Sequence, residues 1–195
     1  MQTVLLENQE SFILEPEQDT LYLVLLDKEA DLGKIKVDLS FNKSEVNCRL
    51  LFLGRLKSKS NWQIESNSRH FVPKTSCLTE FYLSQADESR VDYFGQIYIG
   101  QKASQTKSFL KEQSLVLGKA VFNRSRPILE IFNNKVKASH SASSSRISET
   151  DLFYLMSRGF EKNEAEKILE EAFFNKVFDS VKVEEARELI KGYLC

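Results

Sequence analysis

Residues 35–52 read IKVDLSFNKSEVNCRLLF. Ile35, Val37, Leu39 and Phe41 alternate with polar residues, and after a polar break Val46, Cys48, Leu50 and Phe52 alternate again. Alternation at period two places one set of side chains on one face of a β-strand. The pattern extends outward over residues 20–132: Leu21, Leu23 and Leu25 precede it, and Trp62 with Ile64, Phe81 with Leu83 and Ile97 with Ile99 follow. The breaks at 28–31, 57–60 and 85–89 are short and polar, and no stretch here carries a helical period. Many short strands in a row mean a sandwich, a barrel or a solenoid. Asn-Gly and Asp-Gly are absent and the chain has only 7 Gly, which disfavours tight primed hairpins. No fixed repeat emerges either, as a regular solenoid would require. On pattern alone, sandwich and irregular solenoid both stay open.

Near Arg146 the period becomes helical. Ser148 and Asp151 have capping-box spacing, Leu152, Leu155 and Met156 share a face, and Gly159 is placed to end the helix. Asn163 with Glu166 repeats the capping signature before Ile168, Leu169, Ala172, Phe173 and Val177. Ser180 is placed to cap a third helix with Val183, Ala186, Leu189 and Ile190, ending near Gly192. The expected division is a β core over 1–147 and a three-helix domain over 148–195. A helical segment that small has little core of its own and should lean on the β domain or on a partner.

The chain has 195 residues, with 27 Lys+Arg against 28 Asp+Glu. That balance excludes a protein whose whole surface binds polyanions, and no nucleic-acid partner is expected. Hydrophobic residues make up 42%, enough for a real core. Cys48, Cys77 and Cys195 form no CxxC pair, so a zinc ribbon and a thioredoxin-type site are excluded. Free thiols fit a reducing compartment, with Cys48 as a small core residue and Cys77 in a connection. The longest apolar run, residues 21–26, is far short of a bilayer span, and the start lacks a basic leader. A soluble, cytoplasmic protein without membrane contact is the expectation.

The only histidines are His70 and His140, and neither lies in an HExxH or a similar ligand spacing. There is no GxGxxG, GxxxxGK[ST] or GxSxG, so dinucleotide, P-loop and hydrolase chemistry lack support. His140 sits among hydroxyls in residues 139–145. A nucleophile beside a base is one reading; a polar connection between core and helices is the better one, because no partner acid is evident.

At this junction the chain resembles the SufB/SufD family, the scaffold proteins of SUF iron–sulfur cluster assembly. Residues 136–142, VKASHSA, with Arg146-Ile147, are similar to its VKCSHGAT...RI signature. Leu152-Phe153-Tyr154-Leu155 and Ser157-Arg158-Gly159 are similar to its LFYLxSRG block, the most specific of the matches. Glu164-Ala165, Ile168-Leu169 and Ala172-Phe173-Phe174 resemble the following EAxxLLxxxFF helix. Upstream, residues 70–75 resemble an HxxPxT element and Gly95-Gln96-Ile97 a GxI strand. The likeness covers about residues 60–180 and fades back to 20.

The resemblance implies a right-handed parallel β-helix followed by a small C-terminal helical domain. It implies a non-enzymatic scaffold that binds a SufC-type ABC ATPase through its helices, with Phe153, Tyr154, Arg158, Phe173 and Phe174 as partner-binding residues. Through the β-helix it implies pairing with a SufB-type scaffold or a second copy. His140 is the retained residue with ligand chemistry, a candidate iron or cluster ligand at such an interface. No cofactor is expected to stay bound to this chain alone; a transient iron–sulfur cluster at a subunit interface is the implied cargo. Ala138 and Ser141 depart from the family's Cys and Gly, and residues 108–117 hold no Cys where SufB-type chains carry one. The likeness is therefore to the SufD type, in a truncated or divergent form. Two other readings stand beside it: a structural β-solenoid that has lost assembly function, and a small enzyme with His140 or His70 as general base.

Overall fold

The computed structural model describes residues 1–7, 9–27 and 30–194. Its strands run, in chain order, β1 (Gln2–Leu6), β2 (Ser11–Leu14), β3 (Thr20–Leu25), β4 (Leu32–Phe41), β5 (Asn47–Leu56) and β6 (Asn61–His70). They continue as β7 (Ser76–Gln85), β8 (Arg90–Ile99), β9 (Lys107–Val116), β10 (Phe122–Ile131) and β11 (Lys137–Arg146). Three helices follow, α1 (Glu149–Ser157), α2 (Lys162–Ser180) and α3 (Glu184–Leu194). Successive strands alternate between two sheets, β1-β3-β5-β7-β9-β11 and β10-β8-β6-β4-β2, and every pairing is parallel. The chain is a parallel β-solenoid of about 5 turns, which closes the sandwich alternative.

The reason no repeat showed in the sequence lies in the register. In the first sheet Thr20 pairs with Cys48, Asn47 with Ser76, Ser76 with Lys107 and Lys107 with Lys137, steps of 28, 29, 31 and 30 residues. The strands hold their alignment while the corners absorb the differences. Five corners use a non-glycine residue in the left-handed region: Glu45 (φ 64), Lys59 (φ 67), Lys74 (φ 59), Glu88 (φ 61) and Gln105 (φ 59). The low glycine content follows from that choice.

Between the sheets lies the main core, with Val37, Leu39, Phe41, Phe52, Phe81, Tyr93 and Ile99 among its fully buried members. Phe52 and Phe81 stack with centroids 4.3 Å apart, as in-register neighbours on successive coils. Gly95 is required here, because a Cβ would collide with the Tyr93 hydroxyl and the Leu110 side chain. Cys77 belongs to β7 and is fully buried, registered beside Cys48; the expectation of a connection is corrected. Its neighbours Leu78 and Thr79 break the apolar alternation, which hid the strand. Burial pushes both thiols up, Cys77 to about 12.

The first sheet is apolar on its outer face as well. Leu21, Leu23, Leu51, Leu53, Tyr82 and Leu115 form a second cluster with Phe173, Phe174, Val177, Val181, Ala186 and Ile190 of the helical segment. This explains why residues 21–26 and 50–53 are continuously apolar: a strand buried on both faces does not alternate. The outer face of the second sheet carries ion pairs instead, such as Lys36 with Glu65 at 2.8 Å.

Polar contacts fix the helices in place. Arg49 reaches Ser180 O at 3.2 Å, Arg55 reaches Leu194 O at 2.7 Å, and the Tyr193 hydroxyl donates to Leu26 O at 2.8 Å. Ser148 caps α1 as expected, accepting from Asp151 N at 3.3 Å, and Gly159 has φ 98. Two boundaries differ from expectation. The capping box of α2 is Glu161 with Glu164, two residues earlier than the expected Asn163 with Glu166. Ser180 ends α2, donating to Val177 O at 2.7 Å, and Gly192 lies inside α3. Cys195 lies outside the described residues.

Candidate interface at the last coil and first helix

The hydroxyl-rich stretch 139–145 is not a connection. It belongs to β11, paired residue by residue with β9. β11 is the last strand of its sheet; among the described residues no coil stacks on it, and its side chains need no apolar alternation. Small and hydroxyl side chains suit such an edge. β10 is likewise last in the second sheet. Among the described residues, both strands have one ladder partner only, so their outer backbone groups are open to another strand.

His140 registers on Leu110, a core residue, and so stands in the inward row of the last coil, exposed at its open end. Among the described residues no group of three or more His, Cys, Asp and Glu is arranged to hold a metal ion. His70, by contrast, is fully buried, with Nδ1 at 2.8 Å from Thr75 Oγ1 and Nε2 at 3.1 Å from Ser108 Oγ. Desolvation pushes its pKa down to about 3. With both nitrogens engaged and no access to solvent, it has the environment of a core residue.

Beneath the open end lie residues that sequence reasoning missed. Glu112, on β9, is buried and accepts a 3.1 Å hydrogen bond from Asn123 of β10. Both occupy ordinary positions of alternating strands, and no spacing marked them.

The helical segment divides into a packed part and a bare part. Phe173 and Phe174 are buried; Phe173 lies 5.8 Å from the Tyr82 ring, and Arg55 stands 5.4 Å above Phe174. They cement helix to sheet and are not free to meet a partner, which corrects their place among the expected partner-binding residues. Helix α1 buries none of its residues. Phe153 is 73% exposed and Tyr154 56%, with Met156 and Phe160 also in solvent. Arg158 lies 5.2 Å above the Tyr154 ring. Arg158 and Tyr154 form one exposed aromatic and cationic pair, with Phe153 exposed beside Tyr154 in sequence.

No helix among the described residues is long and apolar enough to cross a membrane. Residues 17–173 match the family model described as SUF system FeS cluster assembly, SufBD core domain. Two curated relatives are an iron–sulfur cluster assembly SufBD family protein of Staphylococcus saprophyticus, 31% identical over 120 residues, and one of Staphylococcus aureus strain USA300, 30% identical over 120 residues. Each match covers 62% of this chain and 26% of the relative, so the chain spans about a quarter of the length of these proteins. With the family model matched over most of the chain, and with a parallel solenoid carrying the matched strands, the chain belongs to the SufBD family of iron–sulfur cluster assembly proteins.

Proposed function

We propose that this chain is a non-enzymatic scaffold of a SUF-type assembly complex and that α1 docks a SufC-type ABC ATPase. The observation that carries this reading is the bare apolar surface of α1. Phe153, Tyr154 and Met156 stand in solvent, while Phe173, Phe174, Val177 and Ile190 of the following helices are packed on the sheet. Large exposed apolar side chains gathered on one element mark an interaction surface, and aromatic residues make its strongest anchors. Arg158 holds Tyr154 in place and adds a cationic edge.

The open edges of β10 and β11 are the proposed pairing surface for a SufB-type scaffold or a second copy of this chain. His140 would then stand at the joint, where an imidazole nitrogen from each side or from one side could hold an iron–sulfur cluster in transit as cargo. The test is co-purification with the host's SufC-type and SufB-type proteins. Capture of the ATPase by the native chain, with loss in Phe153→Ala/Tyr154→Ala, supports the reading. Failure to bind either protein overturns it.

A second reading is a fold kept without cluster handling. It is favoured by the lack, among the described residues, of a thiol at the open edge: Cys48 and Cys77 are deep in the core. Anaerobic cluster reconstitution on the complex separates the two, since an unchanged yield in His140→Ala removes this chain's imidazole from the cluster site.

A further inference from the structure

Three residues around one cleft of the last coil each carry a buried oxygen without a hydrogen-bond partner: Glu112 Oε2, Asn123 Oδ1 and Ser125 Oγ. Glu112 is 3% exposed. Its Oε1 accepts from Asn123 Nδ2 at 3.1 Å, and the same amide donates to Ser114 Oγ at 2.9 Å. Those two neighbours fix the amide's orientation. Turning it over would set a carbonyl against a carboxylate, so Oδ1 is the free atom. Glu112, Asn123 and Ser125 line one cleft of about 460 Å³ between β10 and the end of β11.

Glu112 has no counter-ion among the described residues. Lys111, its neighbour on β9, faces the other side of the sheet toward Glu80 at 3.9 Å. Arg146, at the cleft wall, donates to Gly118 O at 2.8 Å. A buried carboxylate without a cation is costly, and so are buried acceptors without donors. A cation in the cleft relieves both at once.

We propose that this cleft is a site for a hard metal cation, held by Glu112 Oε2, Asn123 Oδ1 and Ser125 Oγ with water completing the shell. Every donor is oxygen, the preference of Mg²⁺, Mn²⁺ and the alkali cations and not of thiolate- or imidazole-seeking metals. His140 does not line the cleft, so this site is separate from any imidazole ligation at the edge and does not rest on the scaffold reading. With a single carboxylate, affinity falls in the range of about 10⁻⁴–10⁻³ M or weaker.

The test uses the whole chain, stripped of metal. Mn²⁺ titration followed by the free-ion EPR signal should show one saturable site per chain, displaced by Mg²⁺. An alkali occupant would instead show as a melting temperature raised by KCl and not by choline chloride. Glu112→Gln should weaken either effect about tenfold or more. Asn123→Asp should strengthen it, because a second carboxylate joins the shell; a network that is only structural would be weakened by that change and gain nothing from cations. Should Glu112→Gln fail to fold, Ser125→Ala carries the test with an expected severalfold loss. Neither saturable Mn²⁺ binding nor a KCl-specific rise, or equal binding by native and Glu112→Gln chains, overturns the proposal.

Discussion

The imidazole of His70 lies flat on the ring of Phe41, centroids 4.4 Å apart and planes 8° from parallel, as the next rung of the same interior column. The stack holds a titratable group in the driest part of the molecule, and its pKa drops to about 3. In the unfolded chain the value is about 6.5. Above that pH both states are neutral and the residue adds no pH dependence. As the pH falls below it, the unfolded chain takes up a proton that the native state refuses, and stability is lost until the native pKa is reached. At pH 5 the loss is about 2 kcal/mol. Urea unfolding at pH 7 and pH 5 should show it, and His70→Gln should remove most of that difference. An equal pH response in both proteins would mean that His70 is not its source.

Two phenylalanines on neighbouring elements should behave oppositely. Phe174→Ala empties a fully buried site between α2 and the sheet and should cost about 3–5 kcal/mol. Phe153→Ala, at a side chain 73% exposed, should stay within about 0.5 kcal/mol of the native chain while lowering affinity for the proposed SufC-type partner. Denaturant midpoints and a pull-down on the same samples check both halves.

Arg49 joins the solenoid to the end of α2. Its guanidinium contacts Glu80 at 2.6 Å and donates to Ser180 Oγ at 2.7 Å, and the Glu80 side chain is only 6% exposed. Arg49→Ala strips a buried carboxylate of its main partner and should destabilise by about 3–5 kcal/mol. The double variant Arg49→Leu/Glu80→Leu should recover much of that loss. Thermal melts of the single and double variants decide it; a double variant no better than Arg49→Ala would contradict the account.

The left-handed corners offer a milder test. Lys59 holds φ 67 on an exposed corner. Lys59→Gly should raise stability by up to about 1 kcal/mol, the cost of that region for an L-residue less glycine's greater freedom when unfolded. Lys59→Val should lower it by about 1–2 kcal/mol, since a β-branched residue fits the region worst. The ranking Gly above Lys above Val is read from urea midpoints.

Much of this was legible in the amino-acid order. The period-two runs from Leu21 to Ile99 fall on strands, and Ser148 caps the helix it was expected to cap. Pattern could not separate solenoid from sandwich, because the corners let the coil step vary and erase a fixed period; the family likeness decided it. β11 was missed because hydrophobic alternation reports a buried face, and of that strand's apolar side chains only Ala138 packs against the core. The same blindness hid Glu112 and Asn123, whose partnership spans two strands of different sheets. The role given to Phe173 and Phe174 failed on a different point: aromatic content says that a side chain will be buried, not whether by its own chain or another.

The helices fold back over β3, β5, β7 and β9 and leave β10 and β11 uncovered. In a solenoid each coil touches only its neighbours, so stability propagates along one axis. This molecule is therefore a zipper clamped along its middle coils by its own C-terminal segment and free at its last coil. Amide exchange should be slowest in β5 and β7 and fastest in the end coils, β1 with β2 and β10 with β11. A partner that binds the free end would act as the missing clamp, lending the last coil an order that the earlier coils already possess.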